Sequence, residues 1–326
     1  MEKDRDHRLD SDWKRRLRRY GLLVAVLLCC VILSIKAPAF LTLNNWVILL
    51  RQISVNGILA VGVTFVLLSG GVDLSLGSVL ALAGVVAAHC AHPDQFPLVV
   101  PVTVGVLAGA ACGGLNGAVV TLGRVAPFVV TLGMMAMARG LALVLSGGRP
   151  VSNLSREFTS LGSGDFASLA GFGLPIPILI LVLVAVVAHL VLQHTKAGRH
   201  LYATGGNEKA ARAAGIRVNR VKWSAYAACG GLAGLAGVLL ASRITTGQPN
   251  AGIAYELDAI AAAVIGGTSL SGGVGSVGGT LVGALLLGII SNGLDLLNVS
   301  SYYQQIIKGL IIVGAVWLDR WRRSGS

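Results

Sequence analysis

The chain has 326 residues, of which 54% are hydrophobic and only 12% are Asp, Glu, Lys or Arg, against about a quarter charged in a soluble domain. It lacks the polar side chains to cover a soluble surface, so composition excludes a water-soluble globular protein and indicates an integral membrane one. The 26 basic and 14 acidic residues leave a net charge of +12, which in such a chain is tested first as membrane orientation and only then as nucleic-acid affinity.

Residues 1–19 form a charged tail too long and too acid-rich for a signal-peptide n-region, and no small-residue cleavage site follows the first apolar run. Crossing about 30 Å of hydrocarbon takes about 20 apolar residues. That length predicts ten spans, at 20–37, 46–69, 75–91, 98–122, 127–146, 175–194, 222–242, 254–268, 276–294 and 302–318. The short, glycine-flanked segments 75–91 and 254–268 are expected to be tilted, broken or re-entrant. The predicted organisation is a tail (1–19), an all-α transmembrane domain (20–320) carrying one large inner loop (195–222), and a short tail (321–326). With the N-terminus inside, 19 of the 26 basic residues fall on the inner side, and the positive-inside rule selects that orientation, with both termini cytoplasmic. The inner segments then account for the whole net charge, and the basic runs are topology signals, so no nucleic-acid partner is expected.

No catalytic constellation is present. Gly273-Val274-Gly275-Ser276-Val277-Gly278 fits G-x-G-x-x-G, but it follows an apolar span and not a strand. The five cysteines lie in or beside apolar runs without metal-ligand spacing, and read as small hydrophobes. No catalytic residue, cofactor or metal is predicted. The strings LSGGVDLSLG at 68–77 and LSGGVGSVGG at 270–279 each join two apolar spans through Gly-Gly. Such a repeat indicates internal pseudo-symmetry with a pathway at the interface, or simply two tight turns. Gly-x-x-x-Gly spacings at Gly109/Gly113/Gly117, Gly230/Gly234 and Gly279/Gly283 allow close helix crossings.

Within the inner loop, Asn207 is placed to cap a short helix, with Glu208 in its first turn, Ala211 and Arg212 in its body and Gly215 ending it. About two turns are too few to be stable alone. The helix therefore lies on the membrane surface or fits the groove of a cytoplasmic partner. On the outer side, a polar loop covers 147–174, and Glu256 and Asp258 suit the positive end of the helix starting near 254. Arg51 and Arg139 sit within spans, where charge is costly. Asn56, Asp73, Gln248, Glu256, Asp258 and Asn292 are the candidate pathway or gating residues. A cap or interhelical hydrogen bond is the plainer reading of the asparagines, and a turn beside Gly70 and Gly71 that of Asp73.

Four strings carry a family resemblance: GRHLYATGGNE at 198–208 running on to Gly215, GVDLSLGS at 71–78, YELDAIAA at 255–262 followed by IGGTSLSGG, and Asn292-Gly293-Leu294 followed by SSYYQ at 300–304. In this order and spacing they resemble the permease subunits of the ribose-type branch of bacterial ABC importers, over residues 20 to 320. The resemblance implies an inner-membrane permease working as a homodimer or with a homologous permease. A cytoplasmic ABC ATPase would dock inside and a periplasmic or lipid-anchored sugar-binding protein outside. It further implies that Asn207, Glu208, Ala211, Arg212 and Gly215 form the coupling helix seated in the ATPase, with Glu208 and Gly215 matching the Glu and Gly of the "EAA…G" pattern. Lys209 stands where that pattern has Ala. Relatives carrying arabinose, xylose, galactose, allose, autoinducer-2 or nucleosides keep the substrate open, and an autonomous ion-coupled carrier is the competing class.

Overall fold

A backbone that leaves water must satisfy its own N–H and C=O groups, and this apolar chain does so almost entirely with helices. The computed structural model describes residues 21–169 and 172–324. The helices are α1 (Gly21–Lys36), α2 (Leu43–Leu68), α3 (Leu76–His89), α4 (Val99–Thr121), α5 (Pro127–Ser146), α6 (Arg156–Ser163), α7 (Ile176–His194), α8 (Lys196–Gly206), α9 (Glu208–Ala213), α10 (Val218–Ile244), α11 (Tyr255–Ile265), α12 (Val277–Leu296) and α13 (Ser301–Ser324). Two short strands, β1 (Asp165–Leu169) and β2 (Phe172–Pro175), pair antiparallel with a bulge between Phe166 and Ser168. The all-α expectation thus needs one correction, a small hairpin in the 147–174 loop, where alternation over so few residues leaves no sequence signal. The predicted tail 1–19, and residues 325–326 of the C-terminal tail, lie outside the described residues.

Six of the ten predicted spans are helices both long and apolar enough to cross a membrane, namely α2, α4, α5, α7, α10 and α12. The two expected to be irregular are short: α3 has 14 residues and α11 has 11, about 21 Å and 16 Å of rise at 1.5 Å per residue. Each is completed by irregular backbone, at 69–75 before α3 and 266–276 after α11. Such segments are tolerated at membrane depth when they are buried in protein.

The core forms around α2 and α10. Each is 67% buried over its most apolar stretch, whereas α5 is only 22% buried there and presents Phe128, Val129, Met137, Leu141 and Val144 outward. α10 packs on α4, α3 and α2, while α11 and α12 pack on each other and on α2. The α4–α10 crossing uses the predicted glycines. A Cβ on Gly109 would collide with the Gly230 carbonyl, one on Gly113 with the Tyr226 carbonyl, and one on Gly230 with the Gly109 carbonyl. Here the backbones themselves form the contact, as the Gly-x-x-x-Gly spacing leads one to expect. Gly283 meets the Ala262 carbonyl in the same way at the α11–α12 crossing.

α6 is pinned to α10 by Ser242, whose Oγ accepts the Gly162 N–H at 2.6 Å and donates to the Phe158 carbonyl. Gly113→Val should separate α4 from α10 and destabilise the protein by about 1–3 kcal/mol. Gly133→Val, at a position with no atom near the added Cβ, should leave thermal unfolding in detergent unchanged.

Candidate functional site

The basic end of the bundle is organised around α8 and α9. The loop 195–222 contains two helices where one was predicted, because Thr195 caps an additional helix by accepting the Gly198 N–H at 3.2 Å. The glycines at 198, 205 and 206 hide α8 from propensity reasoning. α9 has the predicted ends. Asn207 Oδ1 accepts the Ala210 N–H at 3.0 Å, and Gly215 stops the helix at φ +83°, a left-handed conformation suited to glycine. Ala211 is buried, whereas Lys209, Arg212 and Gly215 are exposed. The side chain of Ala211 therefore seats the helix, and the opposite face is open.

Glu208 ties this helix to the root of α10. One carboxylate oxygen accepts from Lys222 Nζ at 2.6 Å and the other from Arg212 at 2.9 Å. The Lys222 hydrogen bond, supported by Arg212 and opposed by partial burial, holds the Glu208 carboxyl below its usual range. Because the folded-state pKa is depressed, this anchoring is complete above the unfolded value of about 4.3 and is lost as pH falls below it.

Gly205, absent from the sequence-based candidates, lies where α8 meets both LSGG turns. The Gly273 N–H donates to the Leu68 carbonyl at 3.0 Å, joining the repeats directly. A Cβ on Gly205 would collide with that carbonyl, and one on Gly272 would lie 2.8 Å from the Gly205 carbonyl. Tyr202, whose phenol is pushed up by burial, donates to the Gly275 carbonyl at 2.9 Å. The ends of α2 and of the 266–276 segment therefore converge on α8, immediately before α9. The Gly205-Gly206 pair was the available signal, but its contacts are far away in sequence, Leu68 on one side and Gly273 on the other.

The six polar candidates separate into different roles. Asp73 is consumed in a turn: its Oδ1 accepts both the N–H (2.8 Å) and the hydroxyl (2.6 Å) of Ser75, and Asn116 donates to that hydroxyl at 3.1 Å. Asn292 forms a reciprocal amide pair with Asn45, at 3.0 and 2.8 Å, joining α12 to the start of α2. Glu256 lies beside Gly77, where an added Cβ would meet its Oε2. Gln248 lines an almost wholly apolar cleft with residues of α3 and α10, and its Oε1 is buried without a partner among the described residues. Only Asn56 and Asp258 come together. With Ser291, Ala262, Ala284 and Leu287 they line a shallow, open cleft between α2, α11 and α12.

The three basic residues within predicted spans are all engaged. Arg51 donates to Ser163 O at 2.7 Å and to Asp165 at 2.8 Å, holding the β1–β2 hairpin on α2. Arg139 donates to the carbonyls of Pro249 and Ala251, and Lys308 pairs with Asp258 at 2.8 Å. Glu208→Gln should loosen α9 and accelerate tryptic cleavage after Lys209 and Arg212 several-fold at pH 8. Lys222→Gln should have the same effect, since it removes the other half of the anchor.

Comparison with known proteins places this arrangement. The family described as branched-chain amino acid transport system / permease component matches residues 45–316. The ribose import permease of Escherichia coli K12 is 48% identical over 297 residues, covering 91% of this chain and 92% of that protein. The ribose import permease of Bacillus subtilis is 45% identical, covering 93% of each. The L-arabinose ABC transporter permease of Azospirillum brasilense is 39% identical over 94% of this chain and 89% of its own. No solved structure matches. A match over most of the chain, on a body of long apolar helices, settles the family: the chain is a multi-pass membrane protein belonging to the family of transport-system permease components.

Proposed function

We propose that the chain is the membrane subunit of an ATP-driven ABC importer that moves a monosaccharide inward, with ribose the best-supported substrate. The 48% identity to a ribose import permease over nine tenths of both chains carries this reading. All ten apolar segments cross or enter the inner membrane, and both termini are cytoplasmic, as the distribution of basic residues favours. A cytoplasmic ABC ATPase, a periplasmic or lipid-anchored sugar-binding protein and a second permease, identical or homologous, complete the transporter.

In this reading the exposed face of α9, with Asn207, Lys209, Arg212 and Gly215, seats in the ATPase. Glu208 fixes the angle of α9 against α10. Closure of the ATPase pair displaces α9, and α8 passes the displacement through Gly205 to α2 and to the segment that leads into α12, rocking the two halves of the bundle. ATP is hydrolysed in the partner, so this chain supplies geometry and a pathway, and no catalytic group. A substrate other than ribose is the second reading, favoured by the 39% identity to L-arabinose permeases. An autonomous ion-coupled carrier would need free ionisable groups along the spans, and Arg51, Arg139 and Lys308 are all held by other groups.

Proteoliposomes holding the chain with its ATPase and binding protein should import D-ribose on ATP addition in preference to L-arabinose; preference for L-arabinose would support the second reading. Gly205→Val and Ala211→Pro should each lower uptake by about tenfold or more, the effect of a barrier raised by about 1.4 kcal/mol, while the protein still inserts. Normal ATP-coupled uptake in both variants would contradict the coupling role of α8 and α9.

A further inference from the structure

We infer that the cleft between α2, α11 and α12 is a subsite that recognises the hydroxyls of a neutral sugar in transit. Asn56 and Ser291 supply hydrogen bonds, and Asp258, positioned by Lys308, serves as acceptor. The inference rests on the proposed sugar-permease function and names residues for it.

Asn56 lies 13 residues beyond Leu43 in a 26-residue helix, about 20 Å along its axis at 1.5 Å per residue and so near its middle. Its side chain makes no hydrogen bond among the described residues, unlike Asn45, Asn116 and Asn292. An amide left unpaired in hydrocarbon costs several kcal/mol. Asn56 escapes that cost only because it lines the cleft, where water or a ligand can bond it.

Ser291 is a parallel case. Hydroxyls in other long helices, at Ser54, Thr64 and Thr121, donate to the carbonyl one turn back. Ser291 makes no such bond, and it lines the same cleft. Asp258 uses only Oδ2 for Lys308, leaving Oδ1 without a hydrogen bond among the described residues. Amide, hydroxyl and carboxylate groups thus converge, each with unused capacity.

The class of ligand follows from charge and shape. Asp258 and Lys308 cancel, so the cleft carries no net charge to select an ion. Ala262, Ala284 and Leu287 give it a small apolar wall, suited to the C–H face of a sugar ring, while the polar groups meet the ring's edge. The enclosed space is only about 10 Å³, about one water, so a sugar lies across the open mouth with one edge on the polar groups. Few groups and an open mouth make for weak retention, as transit requires.

The test uses the complete transporter, with its ATPase and binding protein, in proteoliposomes supplied with D-ribose. Asn56→Leu and Ser291→Ala should each reduce ribose delivered per ATP hydrolysed about tenfold, the equivalent of one lost hydrogen bond of about 1.4 kcal/mol, with Asn56→Gln partly restoring delivery. In a second measurement the five native cysteines are replaced by serine and Asn56→Cys is introduced. The new thiol should react with a water-soluble cationic methanethiosulfonate, and turnover with ribose should slow the reaction. Wild-type delivery in both Asn56→Leu and Ser291→Ala, or an unreactive thiol at position 56, would overturn the inference alone. A wild-type complex that hydrolyses ATP yet imports no monosaccharide would overturn the sugar-permease reading with it.

Discussion

Three backbone segments meet at the C-terminal end of α8 with no side chain between them. The Gly273 N–H bonds the Leu68 carbonyl, and Gly205 packs against both so closely that no Cβ fits. The rest of the molecule is arranged around that contact. α2 runs from it through the core, the turn at 270–273 leads into α12, and α8 hands over to the exposed α9. Side-chain contacts slip and re-pack, whereas backbone against backbone transmits displacement with little loss because there is no rotamer to absorb it. The glycine contacts at Gly109, Gly113 and Gly230 serve the complementary purpose of keeping α4 and α10 together as one body.

The second constraint is the cost of polar groups away from water. Most of those in the long helices are consumed in structure: Asn45 with Asn292, Thr64 with Thr280, Ser75 with Asp73 and Asn116, and Arg139 with two carbonyls. Against that background, Asn56 and Ser291 stand apart by facing an opening instead of a partner. The same rule that holds the bundle together therefore marks where it is open, and the ion pair of Asp258 with Lys308 lies at the edge of that opening.

Local signals in the sequence were largely readable. Asn207 and Gly215 define the ends of α9 through capping chemistry that involves only near neighbours, and the Gly-x-x-x-Gly spacings announce close crossings without naming the partner helix. The segments at 75–91 and 254–268 form short helices, as their length suggests, each adjoined by irregular backbone. What was not readable depends on contacts far apart in the chain. Asn56 and Asp258 are separate polar residues until folding brings α2 against α11, and nothing local distinguishes Asn56 from Asn292, which is bonded to Asn45. Gly205 looks like a helix-breaking liability until Leu68 and Gly273 are placed beside it. The LSGG repeat was visible as a pair of turns, but their direct hydrogen bond was not. α8 and the β1–β2 hairpin escaped for lack of propensity and periodicity.

The central claim is that this chain moves sugar only when driven through its inner face by a partner. The direct measurement is radiolabelled D-ribose flux into proteoliposomes carrying the chain alone or with its ATPase and binding protein. The account predicts no flux from the chain alone down an imposed ribose, proton or sodium gradient, and ATP-dependent accumulation with both partners present. Gradient-driven ribose accumulation by the chain alone would contradict it.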